Sequence, residues 1–152
     1  MTTPEGQPTA GRMQGREHQL PVRVYYEDTD FTGLVYHGAY VRFFERGRSD
    51  FLRLIGIGHS SLLDRTQPIA FAVTRLEIAF RQAARIDDAL LVHTNFDAAR
   101  GPRLFISQRI TRDGALIASA QVEVACIDLQ GRARRPPQVL IAALGSLFTN
   151  SP

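Results

Sequence analysis

Ala39-Tyr40-Val41-Arg42-Phe43-Phe44-Glu45-Arg46-Gly47-Arg48-Ser49-Asp50-Phe51-Leu52-Arg53-Leu54-Ile55 carries apolar side chains at three- and four-residue spacing: Tyr40, Phe43, Phe44, Phe51, Leu52 and Ile55. Arg42, Glu45, Arg46, Asp50 and Arg53 take the other side. That period predicts a long amphipathic helix with one buried stripe. Gly47 falls inside the stripe, where a missing side chain lets a sheet approach closely, at roughly 1 kcal/mol in helix propensity. Gly56 and Gly58 stop the helix.

Ahead of this helix, Pro21 to Tyr26 reads as a strand of β-branched and aromatic residues. Behind it, a brief helical segment is expected at Ser60 to Asp64, and then the period changes to two. Leu76, Ile78 and Phe80 alternate with Arg75, Glu77 and Arg81, and Leu116, Ala118, Ala120, Val122, Val124 and Cys126 alternate with polar partners. These are strands with one face inward. Leu90 to Phe96 and Leu104 to Ile110 supply two more, and Asp113-Gly114 is a hairpin signal that makes the sheet largely antiparallel. Pro136-Pro137 opens a short terminal helix over Gln138 to Leu144. The order of strand, long helix and four strands predicts an α+β domain, a five-stranded antiparallel sheet wrapped around its helix.

The chain of 152 residues suits one domain, expected at residues 21–145, with a disordered tail over residues 1–20 and a short C-terminal tail over 146–152. A domain of this size buries roughly 68–70% of its unfolded surface and needs no disulfide or metal to hold it. The single Cys126, in an alternating apolar run, reads as a buried thiol in a reducing compartment. No apolar stretch reaches the roughly 18 residues of a membrane-spanning helix, and no signal-peptide core precedes the domain. A cytoplasmic protein without membrane insertion is expected. All 18 basic side chains are Arg, yet the net charge is only +3. With no aromatic-interleaved basic motif, nucleic-acid binding is not expected. Arg132, Arg134 and Arg135 crowd one segment, which reads either as a polyanion site or as a solvated basic turn.

The chemistry concentrates between strand and helix, in Tyr25-Tyr26-Glu27-Asp28-Thr29-Asp30-Phe31-Thr32-Gly33-Leu34-Val35-Tyr36-His37-Gly38. Carboxylates crowded among aromatic rings cost free energy, which marks them as reactive candidates. A turn-capping role for Asp28 and Asp30 is the plainer reading. The plainer readings elsewhere are a satisfied imidazole for His37, simple packing for Tyr26 and a surface ion pair for Glu45. The first turn of the helix has unpaired N–H groups and a positive dipole end, suited to a developing oxyanion.

This stretch, followed by Phe43-Phe44-Glu45-Arg46-Gly47-Arg48 and by Arg75-Leu76-Glu77-Ile78, Ala84-Arg85-Ile86-Asp87-Asp88, Arg112-Asp113-Gly114 and Gly131-Arg132-Ala133-Arg134-Arg135-Pro136, resembles the Tol-Pal-associated acyl-CoA thioesterases of the hotdog superfamily and the related 4-hydroxybenzoyl-CoA thioesterases. The resemblance covers about residues 20–144. It implies the hotdog fold and thioester hydrolysis without metal or cofactor. It makes Asp30 the catalytic carboxylate, as nucleophile or general base, puts Tyr26 and His37 in the same pocket, and turns the amides near His37 and Gly38 toward the thioester oxygen. Arg132, Arg134 and Arg135 are candidates for the phosphates of coenzyme A, with Arg81, Arg85, Arg100 and Arg103 as alternatives. The implied partners are an acyl-CoA, acyl carrier protein as another acyl donor, and further copies of the chain in a dimer or homotetramer with active sites at the seam. Ala39 departs from the family pattern, which usually has Asn there, so altered loop anchoring is expected.

Two rivals use the same residues. Asp28-Thr29-Asp30-Phe31-Thr32 also spells the loop of haloacid-dehalogenase-type phosphatases, but those need a parallel sheet and a later Lys, and this chain has no Lys. A non-catalytic module that binds acyl-CoA or acyl carrier protein on the same fold is the second.

Overall fold

A computed structural model describes residues 5–150 of the chain. Its six-stranded antiparallel sheet comprises β1 (Arg12–Gln14), β2 (Glu17–Arg23), β3 (Ala70–Phe80), β4 (Ala89–Arg100), β5 (Arg103–Arg112) and β6 (Ala115–Ile127), ordered β1-β2-β4-β5-β6-β3. Three helices accompany it: α1 (His37–Leu54), α2 (His59–Leu63) and α3 (Gln138–Leu144). The antiparallel sheet excludes the phosphatase reading, which requires parallel strands. Among the described residues, no helix is long and apolar enough to cross a membrane.

The long helix buries Ala39, Tyr40, Phe43, Phe44, Gly47, Asp50, Phe51 and Leu52, matching most of the expected stripe. Gly47 does what its lack of side chain permits. A Cβ there would stand 2.7 Å from Thr94 Oγ1 and 2.8 Å from Val92 Cγ1, so α1 rests almost directly on β4. The β5–β6 hairpin turns at Asp113 (φ 51°) and Gly114 (φ 82°), the paired left-handed residues of a type I′ turn.

The sheet has one strand more than the expected five. β1 is three residues long, with Met13 its one apolar side chain, so it offers no period to read. It pairs Arg12 with Gln19 and Gln14 with Glu17, which also moves the start of β2 back to Glu17 from the expected Pro21. Much of the expected N-terminal tail is therefore ordered, and a buried polar pair pins it. His18 Nε2 lies 2.7 Å from Asp50 Oδ2 of α1, and the same oxygen accepts the Gly11 N–H at 2.8 Å. The expected C-terminal tail also packs: the Thr149 N–H donates to the Phe96 carbonyl at 3.1 Å and the Asn150 N–H to that of Asp97 at 3.0 Å. The ends of the two expected tails, residues 1–4 and 151–152, lie outside the described residues.

A further correction concerns β3. Its expected inward side chains Leu76 and Phe80 stay 37% and 50% exposed on β3, an edge strand with a neighbour on one side only. Cys126 is buried as expected, and that burial pushes its thiol up to about 11.

Candidate active site

The acidic loop is built around Asp28. This side chain is buried, accepts the Tyr25 N–H on Oδ2 at 2.8 Å, and stands 3.5 Å from Arg42 Nη2 through Oδ1. Its carbonyl accepts the Tyr36 N–H at 2.9 Å. Asp28 is thus the anchor of the loop and the start of α1. With Ala39 buried and its N–H on the Tyr36 carbonyl at 2.8 Å, Asp28 supplies the anchoring.

Asp30 stands exposed at the tip. Its Oδ1 accepts the Thr32 N–H at 2.8 Å and the Thr32 hydroxyl at 2.5 Å, while Oδ2 has no hydrogen-bond partner among the described residues. The Thr32 hydroxyl, followed by the Thr32 amide, holds the Asp30 carboxyl below the usual carboxylate range. One oxygen is fixed and the other open. The Asp30 N–H bonds the Leu34 carbonyl at 2.9 Å and Thr29 bridges Val35, so the backbone of Asp30 is tied two to three residues ahead of the helix.

The leading turn of α1 is open too. Tyr36 is extended (φ −63°, ψ 136°), and among the described residues the N–H groups of His37 and Gly38 have no hydrogen-bond partner. Gly38 lets the Tyr36 ring lie against the helix start, since a Cβ there would stand 2.6 Å from that ring. The His37 ring packs on Tyr36 with centroids 4.4 Å apart and opens onto a cleft of about 300 Å³ walled by Val35, Tyr40, Phe80, Arg81, Gln82 and Ala83. Arg112 braces that wall by donating to Asp88 at 2.7 Å and to the Ala83 carbonyl at 3.2 Å. Burial raises the Tyr40 phenol above its ordinary value, and its oxygen accepts the Ala84 N–H at 3.2 Å.

The structure therefore brings the backbone of Asp30 to the same loop end as His37 and Gly38. Tyr26 is 83% exposed, and neither it nor Asp30 lines the cleft of one chain. The basic turn is farther away still. Arg134 pairs with Asp128 at 2.9 Å, and Ala133 bridges Ile127 at the end of β6, beside Ala70. Phe80 ends β3 at the opposite edge of that strand pair, roughly 30 Å away at about 3.4 Å per residue. Within one chain, Arg132, Arg134 and Arg135 do not meet Asp30. The sequence reading missed Tyr40, Phe80 and Gln82 as cleft walls. Tyr40 read only as core and Phe80 only as strand, because a wall shared by β3 and α1 has no local signature.

An antiparallel sheet wrapped on one long helix, with an acidic loop tied to the residues that lead into the helix, defines a hotdog-type α+β scaffold. Residues 24–144 match the thioesterase-like superfamily, and the chain belongs to it. It is 44% identical over 110 residues to the acyl-CoA thioesterase YbgC of Haemophilus influenzae, covering 72% of this chain and 80% of that one. Identity to the acyl-CoA thioester hydrolase YbgC of Escherichia coli O6:H1 is 39% over 124 residues, 80% of this chain and 91% of the other. The crystal structure of a probable thioesterase from Bartonella henselae superposes with a TM-score of 0.78 at 40% identity, covering 80% of this chain and 99% of that one.

Proposed function

We propose that the protein is an acyl-CoA thioesterase, a hydrolase in which Asp30 attacks or deprotonates and the His37 and Gly38 amides take the oxyanion. The observation that carries this is the division of labour at Asp30: Oδ1 locked by Thr32, Oδ2 open, in a loop bonded to the start of α1. Oδ2 either bonds to the thioester carbon, expelling thiolate to leave a mixed anhydride for water, or takes a proton from water as its oxygen bonds to that carbon, the C–S bond then breaking and the leaving sulfur taking up that proton. Either way negative charge develops on the carbonyl oxygen, and each well-placed donor contributes about 10²–10³ in rate. His37 and Tyr26 act as orienting groups around the thioester.

The exposed edge of β3, with Val73, Leu76 and Phe80 bare, supports a two-fold homo-oligomer through β3. Antiparallel pairing of this strand with its copy lays the Phe80 end of one subunit beside the Ala70 end of the other. The basic turn of a second copy then approaches the cleft, which keeps Arg132 and Arg135 as candidates for the coenzyme A phosphates and leaves Arg134 to Asp128. On the strength of the family resemblance, the proposal extends to a tetramer of paired dimers, to acyl carrier protein as a further acyl donor, and to a cytoplasmic enzyme of the Tol-Pal setting.

The test is Asp30→Asn assayed on short, long and aromatic acyl-CoAs. Turnover should drop at least ~10²-fold with acyl-CoA binding largely retained. An unchanged rate overturns the assignment, and binding without turnover in the wild type makes the protein an acyl-CoA binding module.

A further inference from the structure

Asp30 does not hold its own place. Its backbone is tied to the returning arm of its loop, with the Asp30 N–H on the Leu34 carbonyl at 2.9 Å and the Gly33 N–H on the Asp30 carbonyl at 3.1 Å. That arm is laid in turn on the segment between β3 and β4. Leu34 bridges Arg85, the Val35 N–H donates to the Ala84 carbonyl at 2.9 Å, and the Ile86 N–H donates to the Gly33 carbonyl at 3.2 Å. Residues 84–86 are therefore the bed on which the Asp30 loop lies.

The bed belongs to no helix or strand, and its backbone turns at Asp87 in the left-handed region (φ 69°). A residue other than glycine persists there where its surroundings fix it. Here one carboxylate does much of the fixing. Asp88 Oδ2 accepts the Arg85 N–H at 2.8 Å and Arg112 Nη1 at 2.7 Å, and the same Nη1 donates to the Ala83 carbonyl at 3.2 Å. Among the described residues Arg112 is the one cation within ion-pair distance of Asp88. Burial pushes the Asp88 carboxyl up, but the Arg85 amide and the Arg112 guanidinium outweigh burial and keep it below the usual carboxylate range. The Tyr40 hydroxyl takes the Ala84 N–H at 3.2 Å, a longer and uncharged contact, and Arg23 reaches only the Asp87 carbonyl. Charge-assisted hydrogen bonds are roughly twice as strong as neutral ones. Arg112 ends β5 and pairs with Ala115 of β6, so the anchor stands on the sheet itself.

We propose that Arg112 and Asp88 are positioning residues for the reaction: their ion pair fixes residues 84–86, and through Gly33–Val35 fixes where Asp30 presents its open oxygen. This role rests on Asp30 as the reacting carboxylate. Neither Arg112 nor Asp88 lines the cleft, so the pair supplies geometry and no chemistry. Geometry is worth much, because a 1 Å misplacement from a change far from the reacting atoms costs about 10²-fold in rate.

Steady-state kinetics on one acyl-CoA, with urea midpoints to show that each variant is folded, test the role. Arg112→Met and Asp88→Asn should each lower kcat by roughly 10–10²-fold, with KM changed less than about threefold. Arg112→Lys, which keeps a cation on Asp88, should recover most of the rate. Asp88→Asn, which keeps the shape and loses the charge, carries the test where Arg112→Met does not fold. Because the pair works through Asp30, combining either variant with Asp30→Asn should be no slower than Asp30→Asn alone. Glu17→Gln, which breaks an ion pair at the other end of β2, should keep its kcat and so shows that lost stability alone does not slow the enzyme. Unchanged kcat in Arg112→Met and Asp88→Asn, a loss carried by KM, no recovery in Arg112→Lys, or losses that multiply with that of Asp30→Asn overturn the role. An unchanged rate in Asp30→Asn strikes the catalytic reading and the role with it, whereas a slow Asp30→Asn beside a fast Asp88→Asn strikes the role alone.

Discussion

Thr32 donates twice to one oxygen of Asp30, through its amide at 2.8 Å and its hydroxyl at 2.5 Å. Both bonds favour the charged carboxylate, so both keep Asp30 ionised to lower pH. Under the proposed mechanism the working form is the anion, and activity is lost as pH falls through the carboxyl's lowered value. Thr32→Val removes the hydroxyl and keeps the amide. The acid limb of its kcat/KM profile should move to higher pH, with little change near neutrality, where Asp30 stays ionised in both proteins. An acid limb that does not move would mean that a group other than Asp30 sets it.

Gly47 governs how closely α1 seats on β4. Adding a methyl improves helix propensity by roughly 1 kcal/mol. It also drives a Cβ to within 2.7 Å of Thr94 Oγ1 and 2.8 Å of Val92 Cγ1, both on stiff β-branched side chains, and such overpacking costs about 1–3 kcal/mol. With both Cβ contacts on stiff side chains the clash outweighs the propensity, so Gly47→Ala should lower the urea midpoint by the equivalent of up to about 2 kcal/mol. A rise in the midpoint would show that the sheet yields at this contact.

That glycine was legible in advance, and so was most of the scaffold, because a seventeen-residue stripe and two-residue alternation are local periods imposed by one buried face. What escaped reading depends on distant partners. β1 exists because His18 and Gly11 share Asp50 of α1, a contact made across 32 and 39 residues that leaves no pattern in Arg12–Gln14. The exposure of Leu76 and Phe80 follows from the position of β3 at the sheet edge, whereas alternation reports only that one face is apolar. At the candidate site, the open oxygen of Asp30 and the bare amides of α1 were inferable from the residue types, since turn chemistry and helix ends are local. The distance between Arg132–Arg135 and Asp30 was not, because it is set by the length and direction of β3 and β6.

Glu17 sits on the sheet beside Arg109 at 2.6 Å and His93 at 2.7 Å. Burial pushes its carboxyl up, but hydrogen bonds from Arg109, His93 and Gln19 outweigh burial and lower it from 4.5 to about 2. A carboxyl depressed on folding contributes stability that is fully present above its unfolded value and is lost as pH falls through its folded one. The wild type should therefore lose stability between about pH 4.5 and about pH 2 in part through Glu17. Glu17→Gln should be less stable at pH 7 and show a shallower decline across that window in urea titrations. An identical pH dependence in both proteins would assign the acid sensitivity to other carboxylates.

A site shared across a two-fold seam makes a prediction that no single variant does. If Asp30 of one copy works with the basic turn of the other, then Asp30→Asn and the double variant Arg132→Ala/Arg135→Ala are each defective at every site of their own dimer. A mixed dimer concentrates both defects in one site and leaves the other intact. Mixing the two inactive proteins under conditions that let subunits exchange should restore activity to about a quarter of the wild-type rate at equal total protein, since half the dimers are mixed and each has one sound site. Leu76→Asp, which puts a charge on the bare edge of β3, should abolish the restoration and shift the protein to a monomer in size-exclusion chromatography with light scattering. Without restoration on proven subunit exchange, the arginines belong to the same chain's site or to none, and the seam has to be sought away from β3.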